Sequence, residues 1–242
     1  MSGRKVALVI GAGDATGGAI ARRFARERFI ACAVRRNGDK LAPLIEAIEA
    51  AGGTAHAFGC DARREQQVIE LFDRIEAEIG EIEVMAFNIG ANVPSSILEE
   101  TARKYFKIWE LSCFAGFLCG REAAKRMQKH GRGIIFFTGA SASLRGRADY
   151  AAFSGAKQGL RALAQSMARE LAPQNIHVAH AVIDGAIDTD FIRSNFPERY
   201  ALKEQDGILD PDHIADTYWY LYNQPRDAWT FELDLRPWIE RW

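Results

Sequence analysis

This sequence lacks an excess of either charge. Lysine plus arginine number 31 and aspartate plus glutamate 32, a formal net charge of −1 over 242 residues. A protein that binds by neutralising phosphates needs a surplus of bases, so nucleic acid is not an expected partner. The arginines stand in short groups such as Arg22-Arg23 and Arg35-Arg36, not in a tract. Long apolar runs are missing too. None approaches the roughly 20 residues of a membrane span, so no membrane partner is expected. Arg4-Lys5 and the apolar residues 6–10 resemble the start of a signal peptide, but Gly11 closes the run too early. Cysteine is scarce: Cys32, Cys60, Cys113 and Cys119 have neither metal-ligand pairing nor the dense spacing of a disulfide scaffold. Reduced, buried thiols in a cytoplasmic protein are expected. No internal repeat or low-complexity linker divides the chain, whose length suits one domain spanning 1–242.

What the chain has is alternation. Apolar runs at 6–10, 29–34, 55–58, 84–87, 134–137 and 177–183 read as strands, with a seventh at 230–235. Helical spacing fills 19–28, 41–51, 65–79, 103–129, 150–171 and 211–222. This predicts an α/β fold of Rossmann-like, doubly wound type: a parallel sheet of about seven strands with helices on both faces. Ligands of such sheets sit beyond the carboxyl ends of the strands. Residues 184–210 are the one long irregular region, and 190–210 reads as a substrate lid. Its Phe191, Ile192, Phe196, Tyr200 and Leu202, mixed with charges, suit a small and partly apolar substrate.

After the first strand comes Gly11-Ala12-Gly13-Asp14-Ala15-Thr16-Gly17-Gly18, then a helix. Glycines let a backbone approach a pyrophosphate, and the helix N-terminus supplies free N–H groups. The alternative is a purely structural turn. The second strand ends in Val34-Arg35-Arg36, where NAD-preferring enzymes place a carboxylate for the ribose hydroxyls. Two guanidiniums suit a 2′-phosphate, so NADP(H) is favoured over NAD(H), against the alternative of a solvated surface pair. Asp14 in the loop counts mildly against a second anion nearby.

Over nearly its whole length the chain resembles the short-chain dehydrogenase/reductase family. Gly11-x3-Ala15-x-Gly17 resembles its glycine loop, with alanine in the middle position. Asp61 stands where an aspartate meets adenine. Asn88-Ile89-Gly90-Ala91 resembles Asn-Asn-Ala-Gly. Phe153-x3-Lys157 resembles Tyr-x3-Lys, and Asp184-Gly185-Ala186-Ile187-Asp188-Thr189 resembles Pro-Gly-x3-Thr, whose threonine holds the nicotinamide carboxamide. The resemblance implies a dinucleotide-binding oxidoreductase in which Gly11, Gly13, Ala15, Thr16, Gly17, Arg35, Arg36, Asp61, Asn88, Gly90, Lys157, Gly185, Ile187 and Thr189 meet the cofactor. It also implies a homodimer or homotetramer.

The family's catalytic set is Asn, Ser, Tyr and Lys. Here the tyrosine position is Phe153, the serine position Ala140, and the asparagine position aligns best with Ser112, leaving Lys157 alone. Three readings stay open. Tyr150 precedes Lys157 by seven residues, about two helical turns, and can be a displaced acid if the helix reaches back that far. The spacing is that of the family's enoyl reductases, which implies a conjugated enone or enoyl substrate. Alternatively Ser141, Ser143 or Asp184 gives the proton. Or the protein binds NADP(H) or a small molecule without redox turnover. His177 and His180, three apart on a strand, point to opposite faces and make poor metal geometry, so no metal is expected. Phe114, Phe117, Leu118 and Met127 read as core or subunit interface, and Trp229, Trp238 and Trp242 as packing against the body or another subunit.

Overall fold

The computed structural model describes residues 5–241; Arg4 and Trp242 lie outside them. Its elements in chain order are β1 (Lys5–Ile10), α1 (Thr16–Arg26), β2 (Ile30–Arg35), α2 (Ala42–Ala50), β3 (Thr54–Gly59), α3 (Glu65–Glu78), β4 (Glu81–Phe87), α4 (Ala102–Trp109), α5 (Ala115–His130), β5 (Gly133–Ala140), α6 (Ala151–Leu171), β6 (Ile176–Ile183), α7 (Asp190–Asn195), α8 (Pro197–Tyr200), α9 (Pro211–Tyr222) and β7 (Glu232–Leu235). The strands form one parallel sheet in the order β3-β2-β1-β4-β5-β6-β7. The order reverses between β1 and β4, and a crevice opens beyond the carboxyl ends of those strands.

Strand periodicity explains the two cores. Val6, Leu8 and Ile10 face one side with Phe72, Phe87, Leu118 and Leu160. Ala7 and Val9 face the other with Phe24, Phe136 and Tyr218. Both faces are buried, which is why the strands read as continuous apolar runs rather than alternating ones. On the second face Phe24 of α1 meets Trp219 and Tyr222 of α9 edge-on, at 5.5 and 5.8 Å between centroids.

Three expectations need correction. The helix read at 150–171 begins at Ala151; Tyr150 is its N-cap, with non-helical φ −125° and ψ 28°, and only its carbonyl joins the helix, accepting from the Ser154 N–H at 2.8 Å. The long helix at 103–129 is interrupted by a π turn at Glu110–Phe114. The stretch read as irregular holds α7, α8 and a 3₁₀ turn, Ala201–Gln205. Local chemistry explains these last elements. The Thr189 hydroxyl caps α7, Pro197 opens α8, and Asp206 stops the 3₁₀ turn with a left-handed φ of 55°.

Candidate active site

The glycine turn is dictated by crowding. Gly11 has φ +89°, and a Cβ there would lie 2.6 Å from the Asn88 carbonyl oxygen. A Cβ on Gly17 would run into the Gly11 carbonyl oxygen. Asn88 locks the same turn by donating from Nδ2 to that oxygen at 3.2 Å. Gly13 differs: a Cβ there would meet nothing within 4 Å, so its backbone faces open space. Ala15 caps α1 without a side-chain acceptor, and no acid stands in the first turn, so no carboxylate competes for the helix N–H groups. The Thr16 hydroxyl is buried without a partner among the described residues. A crowded turn, an open backbone edge, an uncapped helix start and an orphan hydroxyl together fit a pyrophosphate.

At the end of β2, Arg35 lies 3.7 Å from Asp14, an exposed pair worth little. Arg36 is exposed and lines a shallow groove with Asn37, Gly38 and Gly59. Asp61 is less open than its sequence position suggests. Arg63 forks onto both its oxygens at 2.8 and 2.6 Å. That hydrogen bonding, helped by Arg36, holds the carboxyl below its usual range. Arg63 was not singled out from the sequence; its two-residue spacing from Asp61 is the only signal for it.

Lys157 is buried at the junction of β4, β5 and α6. Its ammonium donates to the carbonyls of Ile89 at 3.0 Å and Thr138 at 2.8 Å. Burial pulls its pKa down to about 8. Gly90 is packed against it, since a Cβ there would lie 3.4 Å from the nitrogen. The Phe153 ring sits on α6 with its centroid 5.9 Å from the same nitrogen. Ser112 lies in the π turn, fully buried, and its hydroxyl accepts from the Ala91 N–H at 3.2 Å. Ala91 belongs to the segment that follows β4, so the π turn reaches back to the site. π turns recur at functional sites.

Ser141, Arg145, Arg147, Tyr150, Phe153, Ser154, Asp184, Gly185 and Ile187 line a cleft of about 520 Å³ with Thr16, Asn88 and Thr138. The geometry sorts the proposed proton donors. Ser143 is buried and its hydroxyl accepts from the Ala140 N–H. Asp184, 3% exposed, is engaged through both oxygens by Arg145 Nη2 at 2.9 and 3.3 Å. The hydroxyls of Ser141 and Tyr150 have no hydrogen-bond partner among the described residues; the Tyr150 ring lies under the Arg147 guanidinium at 5.4 Å. Thr189 does not line this cleft. Its hydroxyl caps α7 by accepting from Ile192 N–H at 3.1 Å, and it borders an adjoining hollow with Asp14, Ala15 and Arg22.

The pattern of the short chain dehydrogenases matches residues 5–199. The chain belongs to this family. Relatives of this short-chain dehydrogenase include a short-chain dehydrogenase/reductase of Armillaria gallica, 31% identical over 188 residues, or 76% of this chain and 72% of that protein. A 3β-hydroxysteroid dehydrogenase of Mediterraneibacter gnavus is 31% identical over 186 residues, 76% of this chain and 67% of that one. The crystal structure of a short-chain dehydrogenase from Rhodopseudomonas palustris is 49% identical with a TM-score of 0.84, covering 97% of this chain and 99% of that one. A metagenomic short-chain oxidoreductase in complex with NADP is 25% identical, TM-score 0.82, with 98% of each chain covered.

No group of three or more potential metal ligands occurs among the described residues. His177 stacks on Trp229 at 4.7 Å, while His180 meets Glu232 at 2.9 Å. All four cysteines are free and buried, and burial raises their pKa values, which suppresses the reactive thiolate. No helix of the described residues is long and apolar enough to cross a membrane.

Proposed function

We propose that this protein is an NADP(H)-dependent oxidoreductase that acts on a small, partly apolar carbonyl or conjugated enone or enoyl compound through a non-standard proton donor. What carries this reading is Lys157: a buried ammonium fixed by two backbone carbonyls beside Gly90 and Asn88, at the sheet ends where the glycine cradle also opens. When bound, the nicotinamide supplies or accepts hydride. Gly11, Gly13, Ala15, Thr16 and Gly17 would hold the pyrophosphate. Arg35 and Arg36 would take the 2′-phosphate, with Asp61 near the adenine. Lys157 has a third N–H for the ribose, and Gly185, Ile187 and Thr189 would flank the nicotinamide. The NADP held by the metagenomic relative supports the cofactor choice.

The proton has to come from a group in the cleft, since Phe153 has none to give. Of the donors read from the sequence, Tyr150 and Ser141 are the ones with uncommitted hydroxyls, and a positioned acid contributes typically 10²–10⁴-fold. Segment 190–210 would close over the substrate as a lid of the same domain. We further propose a homodimer or homotetramer in the cytoplasm. The aromatic row Phe106, Trp109, Phe114 and Phe117, with centroids about 6 Å apart along α4, the π turn and α5 and with Phe106 56% exposed, supports the assembly. Free, unreactive thiols suit a reducing compartment.

A second reading, cofactor binding without turnover, is favoured by one observation: an inert ring, Phe153, faces Lys157. The test is a panel of ketones, enones and enoyl thioesters offered with NADPH, alongside direct NADPH titration. Reduction of any class supports the first reading; tight binding with no reduction of any class supports the second.

A further inference from the structure

The geometry points to a substrate that carries an oxyanionic group, carboxylate or phosphate, held by Arg147 and Arg241 at the outer end of the cleft. This deepens the reading of the cleft as the substrate end of a dehydrogenase and rests on it.

Among the described residues the cleft is lined by five charged side chains: Arg145, Arg147, Asp184, Glu240 and Arg241. Three of them are already committed. Asp184 is paired with Arg145. Glu240 is paired at 2.6 Å with Arg199, a residue of α8 outside the cleft lining. The remaining two, Arg147 and Arg241, have no ion-pair partner among the described residues, and Arg147 is steadied over the Tyr150 ring at 5.4 Å. Both acids of the cleft are thus neutralised while two guanidiniums are left over.

Two unpaired arginines on an open surface would mean little, because water screens them. These stand at the rim of a cavity walled by Phe153, Ala142, Ile183 and Ile187. Low-dielectric walls focus the field of the charges they surround. A guanidinium presents a fork of donors that matches a carboxylate or a phosphate. The interior of the cleft also carries an uncommitted polar atom outside the cofactor cradle: Ser154 lines the cleft, is 5% exposed, and its buried hydroxyl has no partner among the described residues. A polar ligand in the cavity, anchored by its charge at the rim, would use what the protein leaves unused.

The segment after β7 builds this rim. Pro237 packs on Gly185, where a Cβ would lie 2.6 Å from its Cδ, and the Trp238 indole donates to the Gln205 carbonyl at 2.9 Å. Arg241 is therefore presented to the cleft by a segment tied to both the cleft floor and the proposed lid.

The test uses matched ketones with and without the anion: 4-oxopentanoate against 2-pentanone, and dihydroxyacetone phosphate against dihydroxyacetone. Each is titrated calorimetrically into the full chain, with and without saturating NADP+, which cannot reduce them. The expected result is binding of at least one anionic member tenfold or more tighter than its neutral partner. That preference should weaken with added sodium chloride. It should disappear in Arg147→Gln/Arg241→Gln, both exposed changes, while NADP+ affinity stays the same. The pair that shows the preference tells carboxylate from phosphate. Equal affinities within both pairs, no binding by either anion, or a preference that survives the double change would overturn the inference. Turnover is not read, so failure of the redox reading, seen as no reduction by NADPH, leaves a distinct signature.

Discussion

Lys157 donates to the Thr138 carbonyl oxygen at 2.8 Å, and the hydroxyl of the same Thr138 meets Tyr218 at 2.7 Å. The cation is thereby tied to the end of β5, and that end is tied to α9 on the far face of the sheet. The position of the ammonium is set by backbone, not by another side chain. This explains how Lys157 keeps its place when Phe153 offers no hydroxyl beside it. It also predicts that changes at Tyr218 act on the site only through Thr138.

Lys157 should couple cofactor affinity to pH. Burial lowers its pKa to about 8, so the ammonium is charged below that pH and neutral above it. The charged form attracts an anionic dinucleotide better. NADPH affinity should therefore fall as pH rises through about 8, and Lys157→Met should weaken binding and abolish the step. Titrations of both proteins from pH 6 to 10 check this; a wild-type affinity flat across that range would remove Lys157 from the binding machinery.

Arg35 and Arg36 should decide between the two nicotinamide dinucleotides. Among the described residues Arg35 is held only by a distant, exposed Asp14, and Arg36 is exposed, so both are available to a 2′-phosphate. NADPH should bind tighter than NADH. Arg35→Ala with Arg36→Ala should weaken NADPH at least tenfold and NADH little, a charge-assisted contact contributing about 1.5–3 kcal/mol. Equal wild-type affinities would sink the assignment.

His180 should make the fold acid-sensitive. It is fully buried, and burial pulls its pKa to about 4 despite Glu232. The folded pKa lies below the unfolded value of about 6.5, so the unfolded state takes up the proton first. Stability from this group is complete above pH 6.5 and is lost as pH falls toward 4, by on the order of 3 kcal/mol. Urea unfolding at pH 7 and pH 4.5 should show the loss, and His180→Gln should reduce the difference between them. The same ring explains Gly139: a Cβ there would lie 2.5 Å from the imidazole. Gly139→Ala should cost about 1–3 kcal/mol through overpacking.

The fold was legible because its strands are buried on both faces, so the apolar runs at 6–10 and 177–183 stand out against amphipathic helices. The glycine loop was legible because Gly11 and Gly17 answer to local crowding that any such turn imposes. The charge pairing around the cleft was not. Arg145 and Asp184 are 39 residues apart and meet only through the sheet. Arg241 comes to the cleft from beyond β7. The start of α6 was misplaced because periodicity counts residues and cannot see that Tyr150 has left helical dihedrals while its carbonyl still accepts a helical bond.

That one-residue difference bears on the last prediction. An acid carried on a continuous helix would be fixed relative to Lys157 by helical geometry. Tyr150 as an N-cap is instead oriented by its own φ and ψ and by the Arg147 guanidinium above its ring. Its hydroxyl is uncommitted, it lines the cleft, and Tyr150→Phe removes that hydroxyl with little change in volume. If Tyr150 gives the proton, the change should lower kcat by the roughly 10²–10⁴-fold of a lost general acid. Folding and NADPH affinity should be unaffected. Ser141→Ala should then be nearly silent. The reverse pattern, a loss at Ser141 and none at Tyr150, would assign the proton to the 3₁₀ turn after β5. Phe153→Tyr with Ala140→Ser returns a hydroxyl to the ring nearest Lys157 and another at the end of β5. This double variant should gain activity on simple ketones, because the cation that would assist such a phenol is already fixed there by Thr138 and Ile89. No gain in a folded, NADPH-binding double variant would mean that the ketone carbonyl does not reach the Lys157 end of the cleft, and would favour an acid further out, where Tyr150 stands.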